Sequence, residues 1–72
     1  MKLGFIGFGE AAFNMATGLK AEGFSDIFAY DVMEKDLAMG KVIKNNAKES
    51  GVTLVPNAIQ LVESVDIVIS AV

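Results

Sequence analysis

Seventy-two residues, 53% of them hydrophobic and 21% charged, describe one small globular domain rather than a disordered chain. The sequence has no Cys and no His, which excludes a disulfide-stapled mini-protein and leaves no ordinary zinc ligand set. Nine acidic residues against six Lys and no Arg give a net charge of -3, so no basic stripe is present to neutralise nucleic-acid phosphates.

The opening Met1-Lys2-Leu3 has the outline of a signal peptide, but Gly4, Gly7 and Gly9 interrupt the apolar run and Glu10 adds a charge. No stretch approaches the roughly 20 apolar residues that a bilayer span needs. The expectation is a soluble, cytoplasmic domain with neither a nucleic-acid nor a membrane partner.

Leu3 to Phe8 is too short an apolar run for an independent helix and reads as a buried strand ending near Ile6. After Gly7-Phe8-Gly9, residues Ala12, Met15, Ala16 and Leu19 recur at helical spacing and predict a helix over about residues 10 to 22. Lys20 suits its C-terminal dipole, and Gly23 is a left-handed stop. Ile27 to Tyr30 is a second strand, closing on Asp31. Residues 36 to 50 carry a weaker helical pattern, with Met39, Ile43 and Ala47 on one face and Gly40 costing up to about 1 kcal/mol within it. Gly51 ends that helix. Val52 to Val55 is the third strand, stopped by Pro56. Asn57 to Gln60 has the pattern of a capping box opening a short helix to Ser64. Val65 to Val72 is a final strand, apolar except for Asp66 and Ser70.

Strand and helix alternate as right-handed parallel βαβ units do. The expected fold is α/β, a Rossmann-type open parallel sheet in a βαβαβαβ arrangement with helices on both faces. Ile67-Val68-Ile69 lacks the alternation of a half-exposed strand and is expected to be buried on both sides. Ending on such a strand, residues 1–72 are expected to be the N-terminal part of a dinucleotide-binding domain in a longer chain.

The chemistry-bearing motif is Gly7-x-Gly9-x-x-Ala12, the Ala-ended form of the dinucleotide fingerprint. Gly7 permits the tight turn, Gly9 leaves bare backbone for a pyrophosphate, and Ala12 lets the helix pack close to the first strand. Unpaired amides at the helix start then hold the anion. The glycine pattern alone is unspecific; its position between a predicted strand and a predicted helix gives it weight. Asp31, 22 residues beyond Gly9, has the spacing of the acid that accepts from the ribose hydroxyls. Its bland counterpart is an acid that caps a turn. A carboxylate there repels a 2′-phosphate, and with no Arg to embrace one and only Lys35 nearby, NAD is favoured over NADP. Glu10 is expected to point its side chain to solvent and bind through its backbone, with Ala11 beside it. Phe8 can lie over the cofactor, although aromatic residues of this kind are more often core. Ala71 and Val72, at the carboxyl edge of the sheet, can touch the cofactor or simply pack.

Met1 to Ala12, with Gly18-Leu19 and Gly23, resembles the N-terminus of 6-phosphogluconate dehydrogenase-like proteins of the β-hydroxyacid dehydrogenase superfamily. Phe8-Gly9-Glu10-Ala11-Ala12, Ala29-Tyr30-Asp31 and Val65 to Val72 resemble its branch of NAD-binding phosphogluconate dehydrogenase-like oxidoreductases. Pyrroline-5-carboxylate reductase and prephenate dehydrogenase have similar N-termini, but their turn usually differs after the second glycine. The resemblance implies a Rossmann domain followed by a helical domain that supplies homodimer contacts and substrate groups. It also implies a catalytic Lys beyond position 72, so no catalytic residue and no metal ligand is assigned here. Glu10-Ala11 departs from the apolar residue and Met usual in the better-characterised members, which bears on the substrate more than on the cofactor.

The leading reading is the NAD-binding portion of a nicotinamide-dependent dehydrogenase acting on a small hydroxy acid or its oxo form. The alternative is a non-catalytic NAD-sensing module. A methyltransferase commonly carries an acid in its first strand, which Leu3 to Ile6 lacks. The phosphoryl-transfer P-loop pattern is absent, and flavodoxin-like and receiver domains lack this glycine turn.

Overall fold

The computed structural model describes residues 1–71. Four strands, β1 (Lys2–Ile6), β2 (Asp26–Tyr30), β3 (Thr53–Leu54) and β4 (Ile67–Ser70), form one parallel sheet in the order β3-β2-β1-β4. Helices α1 (Glu10–Ala21), α2 (Met39–Ser50) and α3 (Ala58–Ser64) make the crossovers. This is the expected Rossmann-type α/β arrangement. The chain steps outward from β1 to β3 and then returns to the other side of β1 for β4. The sheet therefore reverses direction between β1 and β4, where ligand crevices of open α/β sheets form.

Side chains of successive strand residues point to opposite faces, which gives β1 two different tasks. Leu3 and Phe5, at 5% and 0% exposure, enter the main core with Ala12 and Ala16 of α1, Ile27 and Ala29 of β2, and Ile43 and Ala47 of α2. Gly4 turns to the opposite face, where α3 lies so close that a Cβ would meet Val65 at 2.9 Å and Leu61 at 3.0 Å. Burying a side chain such as Phe5 contributes about 1.5–3 kcal/mol by removing apolar surface from water.

Helix α1 buries Ala12 and Ala16 as expected, but Met15 is left exposed. Phe13 packs against the core in its place. Gly23 and Gly51, which follow α1 and α2, both have positive φ. The α2 region departs more from expectation. Residues Val32–Lys35 form one 3-10 turn, and α2 starts at Met39 after Asp36 accepts from the amides of Ala38 and Met39 at 3.1 and 2.9 Å. Ile43 and Ala47 are buried as their spacing requires, whereas Met39 is exposed and Gly40 is buried. Gly40 sits against the 3-10 turn, and a Cβ there would overlap the Glu34 carbonyl oxygen. Its glycine is the condition of that contact. The Asn57 half of the capping box forms, its side chain accepting from the Gln60 amide at 2.8 Å.

Within residues 1–71, Ile67 and Val68 of the last strand are 45% and 40% exposed. Strand β4 lies at the edge of the sheet, paired to β1 alone among the described residues. Among the described residues no helix is long and apolar enough to cross a membrane.

Gly40→Ala tests the packing argument. Helix propensity alone would make it stabilising by about 1 kcal/mol, but forcing a methyl into the Glu34 carbonyl is expected to cost a net ~1–3 kcal/mol. A urea titration that shows no loss of stability would contradict the close contact.

Candidate dinucleotide site

The sheet's carboxyl edge is level where the site forms. Ile6 pairs in register with Tyr30 on one side and Ser70 on the other. The Gly7 amide then donates to the Tyr30 carbonyl at 2.8 Å, and the Ala71 amide donates to the Ile6 carbonyl at 2.8 Å. Gly7 leaves β1 with φ +91°, a conformation that a side chain strains. Its glycine is required by the chain itself.

Each amide after Gly7 can be accounted for. Phe8 donates to Asp31 Oδ2 at 2.6 Å. The first bond of α1 is Phe13 N–H to the Gly9 carbonyl at 3.0 Å, and Gly9 caps the helix without a side-chain bond. The amides of Gly9, Glu10, Ala11 and Ala12 therefore make no hydrogen bond among the described residues, as the first turn of any helix dictates. Gly9, Glu10 and Ala11 are exposed and leave their amides open to a ligand, whereas Ala12 is fully buried and acts by packing. Gly9 has φ -83°, open to any residue, and a Cβ built on it would meet nothing within 4 Å. Neither torsion nor packing within the chain explains its glycine.

Phe8 is placed differently from a residue lying over a ligand. Its ring is 0% exposed and packs edge-on against Phe5 with centroids 6.2 Å apart. Both its side chain and its amide are engaged by the protein. Glu10, the first residue of α1, is exposed as expected, on the rim of a cavity of about 420 Å³ floored by Phe13, Val42 and Ile43. Ala71 is partly buried beside β1, and Val72 lies outside the described residues.

Asp31 directly follows β2 and is half-buried. Besides the Phe8 bond, its Oδ1 accepts from the Met33 amide at 2.8 Å, so it caps the 3-10 turn as well as reaching the glycine turn. The turn-capping alternative is thus real here, and it coexists with a position at the carboxyl edge of the sheet. A small cavity of about 160 Å³ opens beside it, lined by Tyr30, Asp31, Val32, Glu34, Lys35 and Pro56. Val32, Glu34 and Pro56 were not among the residues singled out from the sequence. Pro56 was legible in principle, because β3 pairs Leu54 with Ala29 and carries the chain two residues on to a point beside Asp31. Asp31 followed by Val32-Met33 also has the spacing of an Asx turn, which foretells the Met33 bond.

Gly9→Ala and Gly7→Ala separate the two glycines. The first is expected to change stability by about 1 kcal/mol or less, its cap loss offset by lower unfolded-state entropy. The second is expected to cost ~1–3 kcal/mol through left-handed strain. Thermal unfolding of both variants checks the order, and equal losses would contradict it.

A model of the family described as NADP oxidoreductase, coenzyme F420-dependent, matches residues 2–72. No curated protein matches the chain. The match reaches the level of a Rossmann-type, NAD(P)-binding oxidoreductase domain and does not extend to the 6-phosphogluconate dehydrogenase-like branch. A glycine turn with free amides at the reversal of a parallel sheet, together with a match over nearly every residue, places this chain in the NADP oxidoreductase, coenzyme F420-dependent family.

Proposed function

We propose that the chain is the dinucleotide-binding portion of a longer NAD-dependent oxidoreductase, similar to the 6-phosphogluconate dehydrogenase-like branch. Its substrate is a small hydroxy acid or the corresponding oxo compound, and the protein assembles as a homodimer through a downstream domain. The observation that carries the binding reading is the set of free amides at Gly9, Glu10 and Ala11, with open space where a Gly9 side chain would stand. That arrangement fits a diphosphate, because amides at the positive end of a helix dipole attract an anion that a Cβ would hold away.

The residues divide the work by position. The three amides bind the diphosphate, and Gly9 gives it access. Asp31 accepts from the ribose hydroxyls, since each of its oxygens keeps a lone pair beyond the one given to a backbone amide. Val32 and Pro56 supply apolar contact beside it. Ala71 holds the far wall of the crevice through its bond to Ile6. The nicotinamide supplies the hydride acceptor or donor when bound. The family match favours an enzyme over a non-catalytic NAD sensor.

The family description names NADP, and the side chains around the ribose position support NAD instead. A 2′-phosphate there faces the carboxylates of Asp31 and Glu34 with Lys35 as the one lining cation. Titration with NADH and NADPH tests this: NADH is expected to bind at least about tenfold tighter, equivalent to ~1.4 kcal/mol. Comparable or tighter NADPH binding overturns the choice of NAD.

A further inference from the structure

Asp31 makes a contact that ribose recognition does not require. Its Oδ2 holds the Phe8 amide at 2.6 Å, inside the glycine turn, while its Oδ1 holds the Met33 amide at 2.8 Å, beside the small cavity at the end of β2. Phe8 stands between two glycines, where backbone torsions are least restricted. The turn is fixed before it by Gly7 N–H to Tyr30 and after it by Phe13 N–H to Gly9. The buried Phe8 ring anchors the middle of the turn, but a ring does not set the tilt of a peptide plane. A short, charge-assisted bond to the amide does.

We propose that Asp31 is the positioning residue of the diphosphate turn. By holding the Phe8 amide inward, it leaves the next three amides, of Gly9, Glu10 and Ala11, aimed outward as a set. By holding the Met33 amide with its other oxygen, it ties that turn to the adenosine side of the crevice. The proposal rests on the nucleotide-binding reading and adds a consequence to it: loss of the carboxylate weakens binding even of a ligand that has no ribose.

The experiment compares the parent chain with Asp31→Asn, using inorganic pyrophosphate and NADH as separate probes. An Asn oxygen accepts from one amide, and its NH2 opposes the other. Asp36→Asn is the control, because it removes an equal charge from the start of α2 and makes no bond to the glycine turn. Asp31→Asn is expected to lose at least about tenfold in affinity for both probes, with Asp36→Asn near the parent for both. In the parent, the Phe8 amide proton is expected to resonate downfield and to exchange slowly; both features should be lost in Asp31→Asn and kept in Asp36→Asn. Pyrophosphate binding unchanged in Asp31→Asn overturns the proposal alone. So does a parent Phe8 amide that exchanges freely, a reading that needs no variant to fold. A parent chain that binds neither probe overturns the nucleotide-binding reading and the proposal together.

Discussion

The bond from the Gly7 amide to the Tyr30 carbonyl decides where everything else in the site can be. It is the last rung of the β1–β2 ladder, and it is made by a residue already bending away from the sheet at φ +91°. Sheet and turn share one peptide group, so the start of α1 inherits the rigidity of the central strand. The next amide goes to Asp31, and the three after it face outward. Order passes from strand to exposed, unbonded backbone in five residues without a single polar side chain from the turn itself.

That economy depends on close packing beneath it. Ala12 and Ala16 of α1 and Ala47 of α2 face the core, and Gly40 of α2 meets the 3-10 turn, so the helices approach by virtue of what their side chains lack. Large groups are concentrated instead in Phe5, Phe8, Ile27 and Ile43, which fill the space between the two helices and the sheet. The opposite face is thinner, with Leu61 of α3 seated over Gly4. In a chain this short, roughly 60% of the unfolded surface is all that folding removes from water, and most of it is removed on one side of the sheet.

The sequence made the alternation of elements legible because each helix had an apolar spacing and a stop signal, and each strand a compact apolar run. It also made the glycine turn legible, since the chemistry of a strand-to-helix corner constrains residue type directly. What it hid were features set by tertiary geometry. Phe8 lies in an exposed-looking motif, yet the turn of β1 into α1 swings its ring into the core. Gly40 reads as a helix weakness until the Glu34 carbonyl is found against it. Asp31 was visible as the acid that follows β2, and its reach back to Phe8 was not, because the contact spans 23 residues of sequence.

The exposed flank of β4 has a consequence for handling the isolated 72-residue chain. Ile67, Val68 and Ile69 offer three successive β-branched residues along a sheet margin whose outward carbonyls and amides have no strand beside them among the described residues. Such a margin is a template for lateral recruitment of other chains, driven by hydrophobicity rather than charge and therefore strengthened by salting-out conditions. A lysine placed on that margin is the natural gatekeeper against fibrillar or amorphous assembly.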